Sequence, residues 1–507
     1  MLYTSTRNAD IKVTASEAII QGLSEDGGLF VPEKLPEITT AEIESLGKMQ
    51  YHERAFTILQ KFLGDFSDTE IQSAVKSAYG RNFSVPDVTQ IKKLSADCFV
   101  LELFHGPTCA FKDMALQLLP YLMLISAEKC TSVQGKRIAI LTATSGDTGK
   151  AALEGFKDVP GTSVTVFYPE DGVSEMQKRQ MTTQQGANVR VCAVKGNFDD
   201  CQNGVKEIFT SGRTDGELAA ELQKKNMVFS SANSINWGRL APQIVYYISA
   251  YASLLESGEI KTGEKVNICV PTGNFGNILA AYYAKQMGLP VNKLICASNS
   301  NNVLTDFIKT GVYDRQREFY TTVSPSMDIL ISSNLERLIY QYHLSPNPDE
   351  KCNSLQEWFA ALKTQGRYEV NERVKAKIER DFYGGWCNES DTAATIKAVF
   401  EKHAYLIDPH TAVAFKIYDE YKAASNDDCK TIIVSTANPY KFCGAVYRSL
   451  GKEPEQDEFM TAQKLEWLTN TRMPDPLFRT QGLPVRFSDS VEKGEMKKAV
   501  IEIIRSL

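Results

Sequence analysis

Apolar runs of strand length recur along the chain, at Cys98–Phe104, Arg137–Thr144, Ser163–Pro169, Asn188–Val194, Val266–Thr272, Lys293–Ala297 and Thr431–Ala437. Between them lie stretches with helical spacing, at Met114–Ile125, from Lys150, from Ser174, and at Ile278–Met287. A strand that is apolar without alternation is covered on both faces, and strands alternating with helices predict largely parallel sheets. The pattern therefore predicts an α/β protein with two open, mostly parallel sheet lobes. Residues 1–95 read as a mostly helical N-terminal domain, with an early turn at Ser24–Gly28. Residues 96–450 read as a core, in which a smaller α/β lobe at about 135–235 is inserted into a larger lobe with long helical additions around 303–405. Residues 451–507 read as a C-terminal extension, irregular through Pro474, Pro476 and Pro484. It then ends in an amphipathic stretch, Glu495–Leu507, expected to pack on the core.

With 507 residues, 43% of them hydrophobic, the chain has material for a substantial core. Its net charge is −6 and no run of lysines or arginines occurs. Nucleic acid and anionic membrane are thus not expected as partners, and any anion must be held by a local site. The 11 cysteines are scattered, without C-x-x-C or Cys/His spacing, so no metal site is expected. An odd count and no secretory leader in Met1–Arg7 fit reduced thiols and a cytoplasmic protein. The most apolar stretch, Leu116–Ala127, contains Gln117 and Pro120, is too short to span a bilayer, and reads as a core helix.

Against that background three loops carry candidate chemistry. The first is Phe104-His105-Gly106-Pro107-Thr108-Cys109-Ala110-Phe111-Lys112-Asp113, which sets a lysine between Phe111 and the start of an apolar helix. Partial desolvation there disfavours the ammonium form and leaves an amine able to form a Schiff base, as with the aldehyde of pyridoxal phosphate. The second, Ser145-Gly146-Asp147-Thr148-Gly149, and the third, Gly273-Asn274-Phe275-Gly276-Asn277, each stand between a buried strand and a helix. That arrangement points backbone N–H groups and the positive helix end at an anion. Two such loops and one lysine suggest a phosphate site for a cofactor and an anionic site for a substrate. Gly149-Lys150 does not make a P-loop, because Thr144 stands where that pattern needs Gly and Ala151 where it needs Ser or Thr.

The segments FHGPTCAFKD, TATSGDTGKAA, PTGNFGN, SPSMDILISSNLERL, IDPHTAVAFK and STANPYKF, with SEAIIQGLSEDGGLFVP near the N-terminus, resemble threonine synthase in its long fungal and bacterial form. The similarity spans almost the whole chain. It implies the fold type II pyridoxal-phosphate architecture, like tryptophan synthase β, and pyridoxal 5'-phosphate as cofactor. The implied reaction turns O-phospho-L-homoserine and water into L-threonine and phosphate. The same resemblance makes Lys112 both cofactor anchor and general acid/base, since protons must leave Cα and then Cβ before phosphate leaves Cγ. Gly273, Asn274, Phe275, Gly276 and Asn277 match the cofactor-phosphate loop, and Thr436 matches the hydroxyl facing the pyridine nitrogen. Ser145, Gly146, Asp147 and Thr148 match the loop that grips the substrate. Asp147 would repel an anion and is expected to brace the loop or cap the helix.

Several points stay open at this level. Arg and Lys residues in Ser174–Arg179 could reach a phosphate or form a solvated face, His105 is structural or a ring neighbour, and His410 has no derivable role. The oligomeric state and the groups holding the substrate phosphate are not legible. Two other readings share these residues. One is a phospho-lyase on the same substrate giving 2-oxobutyrate, a diversion known among animal threonine synthase-like proteins. The other is a phosphate-ligand-binding protein without catalysis.

Overall fold

The computed structural model describes residues 1–214, 216–343 and 353–506. Strands β1 (Tyr3–Ser5) and β2 (Phe30–Pro32) form an antiparallel pair amid helices Ala15–Gln21, Thr40–Leu46, Tyr51–Leu59 and Asp68–Ala78. Three of these helices start at a capping box, with Thr14, Thr39 and Ser67 each accepting from the main chain three residues on. Strands β3 (Gln90–Lys93) and β4 (Cys98–Glu102) then form a hairpin, so the boundary expected at about 95 falls inside one continuous unit.

Four parallel strands follow, β5 (Arg137–Ala143), β6 (Thr162–Pro169), β7 (Val189–Lys195) and β8 (Met227–Ser231). The remaining strands are β9 (Val266–Pro271), β10 (Val291–Ser298), the short pair β11 (Val312–Asp314) and β12 (Arg367–Glu369), β13 (Phe382–Trp386), β14 (Lys430–Ser435) and β15 (Ser490–Glu492). The large sheet has the order β13-β10-β9-β14-β4-β3, parallel except at the β3–β4 edge. The small sheet has the order β15-β7-β6-β5-β8 and is parallel throughout. Every residue of β4, β6, β9 and β14 except Lys430 is buried, which is why these segments carry no polar alternation.

Two features depart from the sequence reading. The run Met114–Ile125 is two helices, Asp113–Leu116 and Leu119–Lys129. Pro120 lacks the N–H that would bond back to Leu116, so it opens a second helix instead of continuing the first. The freed Leu116 carbonyl lies against Gly155, where any Cβ would stand 2.0 Å from its oxygen. The C-terminal segment does more than pack, since β15 adds an edge strand to the small sheet. Its last helix, Met496–Ser506, buries Met496, Val500, Ile501 and Ile504, while Leu507 falls outside the described residues. Among the described residues no helix is long and apolar enough to cross a membrane.

Candidate active site

A cleft at the carboxyl ends of β5, β9 and β14 gathers all three loops, as parallel sheets lead one to expect. It encloses about 790 Å³ of space between atoms, part of it open to solvent. Phe111, Lys112, Ser145, Asp147, Thr148, Gly273, Asn274, Phe275, Gly276, Asn277 and Thr436 line it, while Gly146 does not.

Lys112 reaches the cleft because its segment is pinned to the loop after β14. The Phe111 N–H donates to the Thr436 carbonyl at 2.8 Å, and Ala110 bridges Ala437. Lys112 is 7% exposed, with Nζ 4.7 Å from the Phe111 ring centre. Nζ donates to Asp147 Oδ2 at 3.1 Å and to Ser326 Oγ at 3.0 Å. Burial pulls the amine below the ordinary lysine range, outweighing the opposite pull of Asp147. The neighbouring Asp113 faces away, its carboxylate accepting from the Thr108 N–H at 2.8 Å and the Thr108 hydroxyl at 2.7 Å. Burial raises that carboxyl to about 6, against those bonds.

In the second loop, Gly146 has φ +118°, and a Cβ there would stand 2.4 Å from the Gln177 side chain. The helix Asp147–Gly155 is capped from outside the loop, by Thr144 Oγ1 accepting from the Gly146 and Gly149 N–H groups. Asp147 does not cap it. Its buried carboxylate takes Lys112 on one oxygen, and Gln177 Nε2 at 2.7 Å with Lys441 Nζ at 3.1 Å on the other. Burial opposes ionisation, yet Lys112 and Lys441 together hold the carboxyl far below the usual range.

The third loop precedes helix Gly276–Met287, with Phe275 in the left-handed region at φ +64°. A Cβ on Gly273 would lie 2.7 Å from the Ser326 carbonyl oxygen and 3.1 Å from Met327 Cα, so the main chain can pass there only as glycine. The segment Ser332–Arg337 braces this loop. Ser332 Oγ donates to the Gly273 carbonyl at 2.8 Å, and Asn334 donates to the Asn274 carbonyl from both its main-chain N–H and its amide. Fully buried Arg337 ties that brace outward, donating to the carbonyls of Phe30 and Ile235 and to Asn334 Oδ1. Glu336 meanwhile pairs with Arg7 and accepts from Thr6. The leader Asp26–Pro32 and the Ser332–Arg337 segment, far apart in sequence, thus serve one loop.

The cleft also holds residues that the sequence reading did not single out: Asn233, Ser234, Arg239, Ser326 and Met327. Arg239 is 3% exposed, and among the described residues its guanidinium makes one hydrogen bond, from Nη1 to the Ala232 carbonyl at 2.9 Å. Its buried Nε has no partner, and no carboxylate pairs with it among the described residues. Burial pushes this guanidinium down to about 10. An unpaired arginine beside a glycine loop leaves no local sequence signal. His410 does line the cleft, whereas His105 lies outside it, bonded to Glu102 at 2.8 Å. Of the basic residues in Ser174–Arg179, Arg179 does not line the cleft; partly exposed, it holds the carbonyls of Thr480, Gln481 and Leu483.

Comparison with known proteins matches three family models in order along the chain. "Threonine synthase N terminus" covers residues 2–79, "Pyridoxal-phosphate dependent enzyme" residues 85–345, and "Threonine synthase, C-terminal" residues 411–474. The chain is 44% identical to threonine synthase-like 1 of Pongo abelii over 88% of this chain, but spans only 59% of that relative's length. It is 38% identical to threonine synthase of Saccharomyces cerevisiae, covering 89% of each. The crystal structure of threonine synthase from Brucella melitensis with pyridoxal phosphate bound superimposes with a TM-score of 0.85 at 36% identity, covering 100% of this chain and 99% of that one. The residues present fit such a cofactor. Asn274 Oδ1 and Asn277 Nδ2 are buried without partners beside a glycine cradle at a helix N-terminus, and a desolvated amine stands in the same cleft.

Proposed function

The chain belongs to the threonine synthase family of fold type II pyridoxal-phosphate enzymes, and on that premise we propose that it converts O-phospho-L-homoserine and water to L-threonine and phosphate. We place it with the long fungal and bacterial form, which its near full-length match to the yeast enzyme supports. The observation that carries the reading is one cleft shared by a desolvated lysine, two helix N-termini and an unpaired buried guanidinium.

Pyridoxal phosphate, bound through Nζ of Lys112, supplies an electron sink for charge developing on the substrate carbons. Gly273–Asn277 hold its phosphate through main-chain N–H groups, and Thr436 meets the ring nitrogen with a hydroxyl. Ser145 and Thr148, at the start of helix Asp147–Gly155, hold the substrate carboxylate. Arg239, with Asn233 and Ser234, holds the substrate phosphate, because a dianion is the ligand best matched to a buried cation lacking a partner. That grip orients the Cγ–O bond and stabilises phosphate as it leaves. Lys112 Nζ would take protons from Cα and then Cβ, and would return protons to Cγ and Cα as water adds its hydroxyl at Cβ. Its lowered basicity suits this traffic, since an amine locked as ammonium could accept nothing.

A second reading is kept open by the higher identity to the animal relatives named threonine synthase-like 1 than to the yeast enzyme. In it the chain stops after phosphate leaves and releases 2-oxobutyrate. Incubation of the purified protein with O-phosphohomoserine, assaying phosphate, threonine and 2-oxobutyrate, separates the two. Equimolar threonine and phosphate are expected from the parent, and neither at an appreciable rate from Lys112→Ala. Phosphate with 2-oxobutyrate alone would overturn the synthase reading.

A further inference from the structure

A carboxylate 3.1 Å from a lysine ordinarily fixes that lysine as an ammonium ion, yet the chemistry assigned to Lys112 needs the free amine. Asp147 creates this conflict, and the groups on its far side resolve it. Lys441, in the turn Pro439–Phe442, is fully buried. Its Nζ donates to the Thr108 carbonyl at 2.7 Å and to Gln180 Oε1 at 2.8 Å, and pairs with Asp147 Oδ1 at 3.1 Å. The oxygens of Asp147 are divided, Oδ2 facing Lys112 and Ser326, Oδ1 facing Lys441 and Gln177.

We propose that Lys441 is a positioning residue for Lys112: its fixed positive charge cancels that of the Asp147 carboxylate, which then orients the Lys112 amine without locking it as ammonium. This rests on the assignment of Lys112 as cofactor anchor and proton carrier. The other charged groups near Lys112 do not perform the cancellation. Arg239 also lowers its proton affinity but makes no ion pair with Asp147 among the described residues, Asp113 is turned to Thr108, and Lys150 is paired with Glu154. His410 is engaged with Asp408. Of the charged groups near the cleft only Lys441 bonds directly to the far oxygen of Asp147. It also joins the lobes, since Ser174 Oγ of the small lobe donates to its carbonyl at 2.8 Å.

The test is the pH dependence of cofactor capture by the full chain after the cofactor has been stripped, with the linkage trapped by borohydride and the label located at Lys112. The capture rate follows the fraction of Lys112 present as free amine. Lys441→Gln removes the charge but keeps an amide donor, and its midpoint should move upward by roughly one pH unit, as a nearby unit charge in a partly polar interior predicts. Capture near neutrality should then fall about tenfold and recover at higher pH. Lys441→Arg should restore the parental midpoint. Gln180→Leu, which breaks the same knot without changing charge, should leave the midpoint in place. If Lys441→Gln does not fold, Lys441→Met with Gln180→Met removes the ammonium together with an acceptor it satisfies, and the titration is read there. A uniform slowing at every pH with an unmoved midpoint, or an equal shift in Gln180→Leu, would overturn the proposal. Because no product is measured, a chain found to release 2-oxobutyrate would leave this result standing.

Discussion

The main-chain N–H of Ser326 donates to Nε2 of His410 at 3.2 Å, while His410 Nδ1 meets Asp408 Oδ1 at 2.7 Å. Accepting at Nε2 places the ring proton on Nδ1, directed at a carboxylate that also caps helix Pro409–Ala424. The histidine is thereby a rigid peg for the loop carrying Ser326, whose hydroxyl touches both Lys112 Nζ and Asp147 Oδ2. His410→Ala should lower kcat by about 10- to 100-fold, as loss of an orienting partner commonly does. The cofactor should remain bound. Steady-state kinetics beside the visible absorbance of the purified variant check both halves.

Arg239→Gln removes a charge that no carboxylate balances among the described residues. The KM for O-phosphohomoserine should rise on the order of 100-fold, the scale of a lost charge-assisted phosphate contact. Cofactor content should stay near the parent's, because the cofactor phosphate is assigned to the glycine loop. Substrate titration at fixed cofactor measures the first, and absorbance of the dialysed protein the second.

Gly273→Ala forces a Cβ to within 2.7 Å of the Ser326 carbonyl oxygen, a main-chain atom that cannot rotate aside. Overpacking of this kind costs about 1–3 kcal/mol, so the cofactor should bind about 10- to 100-fold more weakly. Equilibrium titration of the stripped variant with pyridoxal phosphate reads the change.

The lowered basicity of Lys112 also fixes the sign of a stability effect in the cofactor-free chain. Between its folded pKa and the unfolded value near ~10.4, the unfolded chain binds the additional proton, so stability rises with pH across that window. Below the folded pKa the group exerts its full destabilising effect. Lys112→Met removes this dependence. The difference in urea midpoint between parent and variant should favour the variant most at lower pH and shrink as pH climbs.

How much of this could be read from residues alone differs by level. The strands were legible because β4, β6, β9 and β14, apart from Lys430, are buried on both faces and so are rich in apolar residues without a regular polar alternation. The cleft loops were legible because a close main-chain approach demands glycine, as at Gly146 and Gly273. Their partners were not. Lys441 lies in a motif quoted from the sequence, but a lone lysine reads as a surface group until three acceptors are seen to converge on it. Arg239, Ser326 and His410 come from three separate elements, and only the folded chain brings them to one wall. Strand β15 escaped notice because three residues are too few to show any periodicity.

That short strand has a consequence for how the molecule is made. The outer edge of β7 is closed by residues 490–492, nearly three hundred positions downstream. Until residues 490–492 have been made, the nascent small sheet therefore carries a bare, hydrogen-bonding margin at β7. During that interval the margin can recruit a neighbouring nascent chain in place of its own tail. Crowded synthesis should accordingly punish lesions in the tail through clumping, well before any chemistry at the cleft is touched.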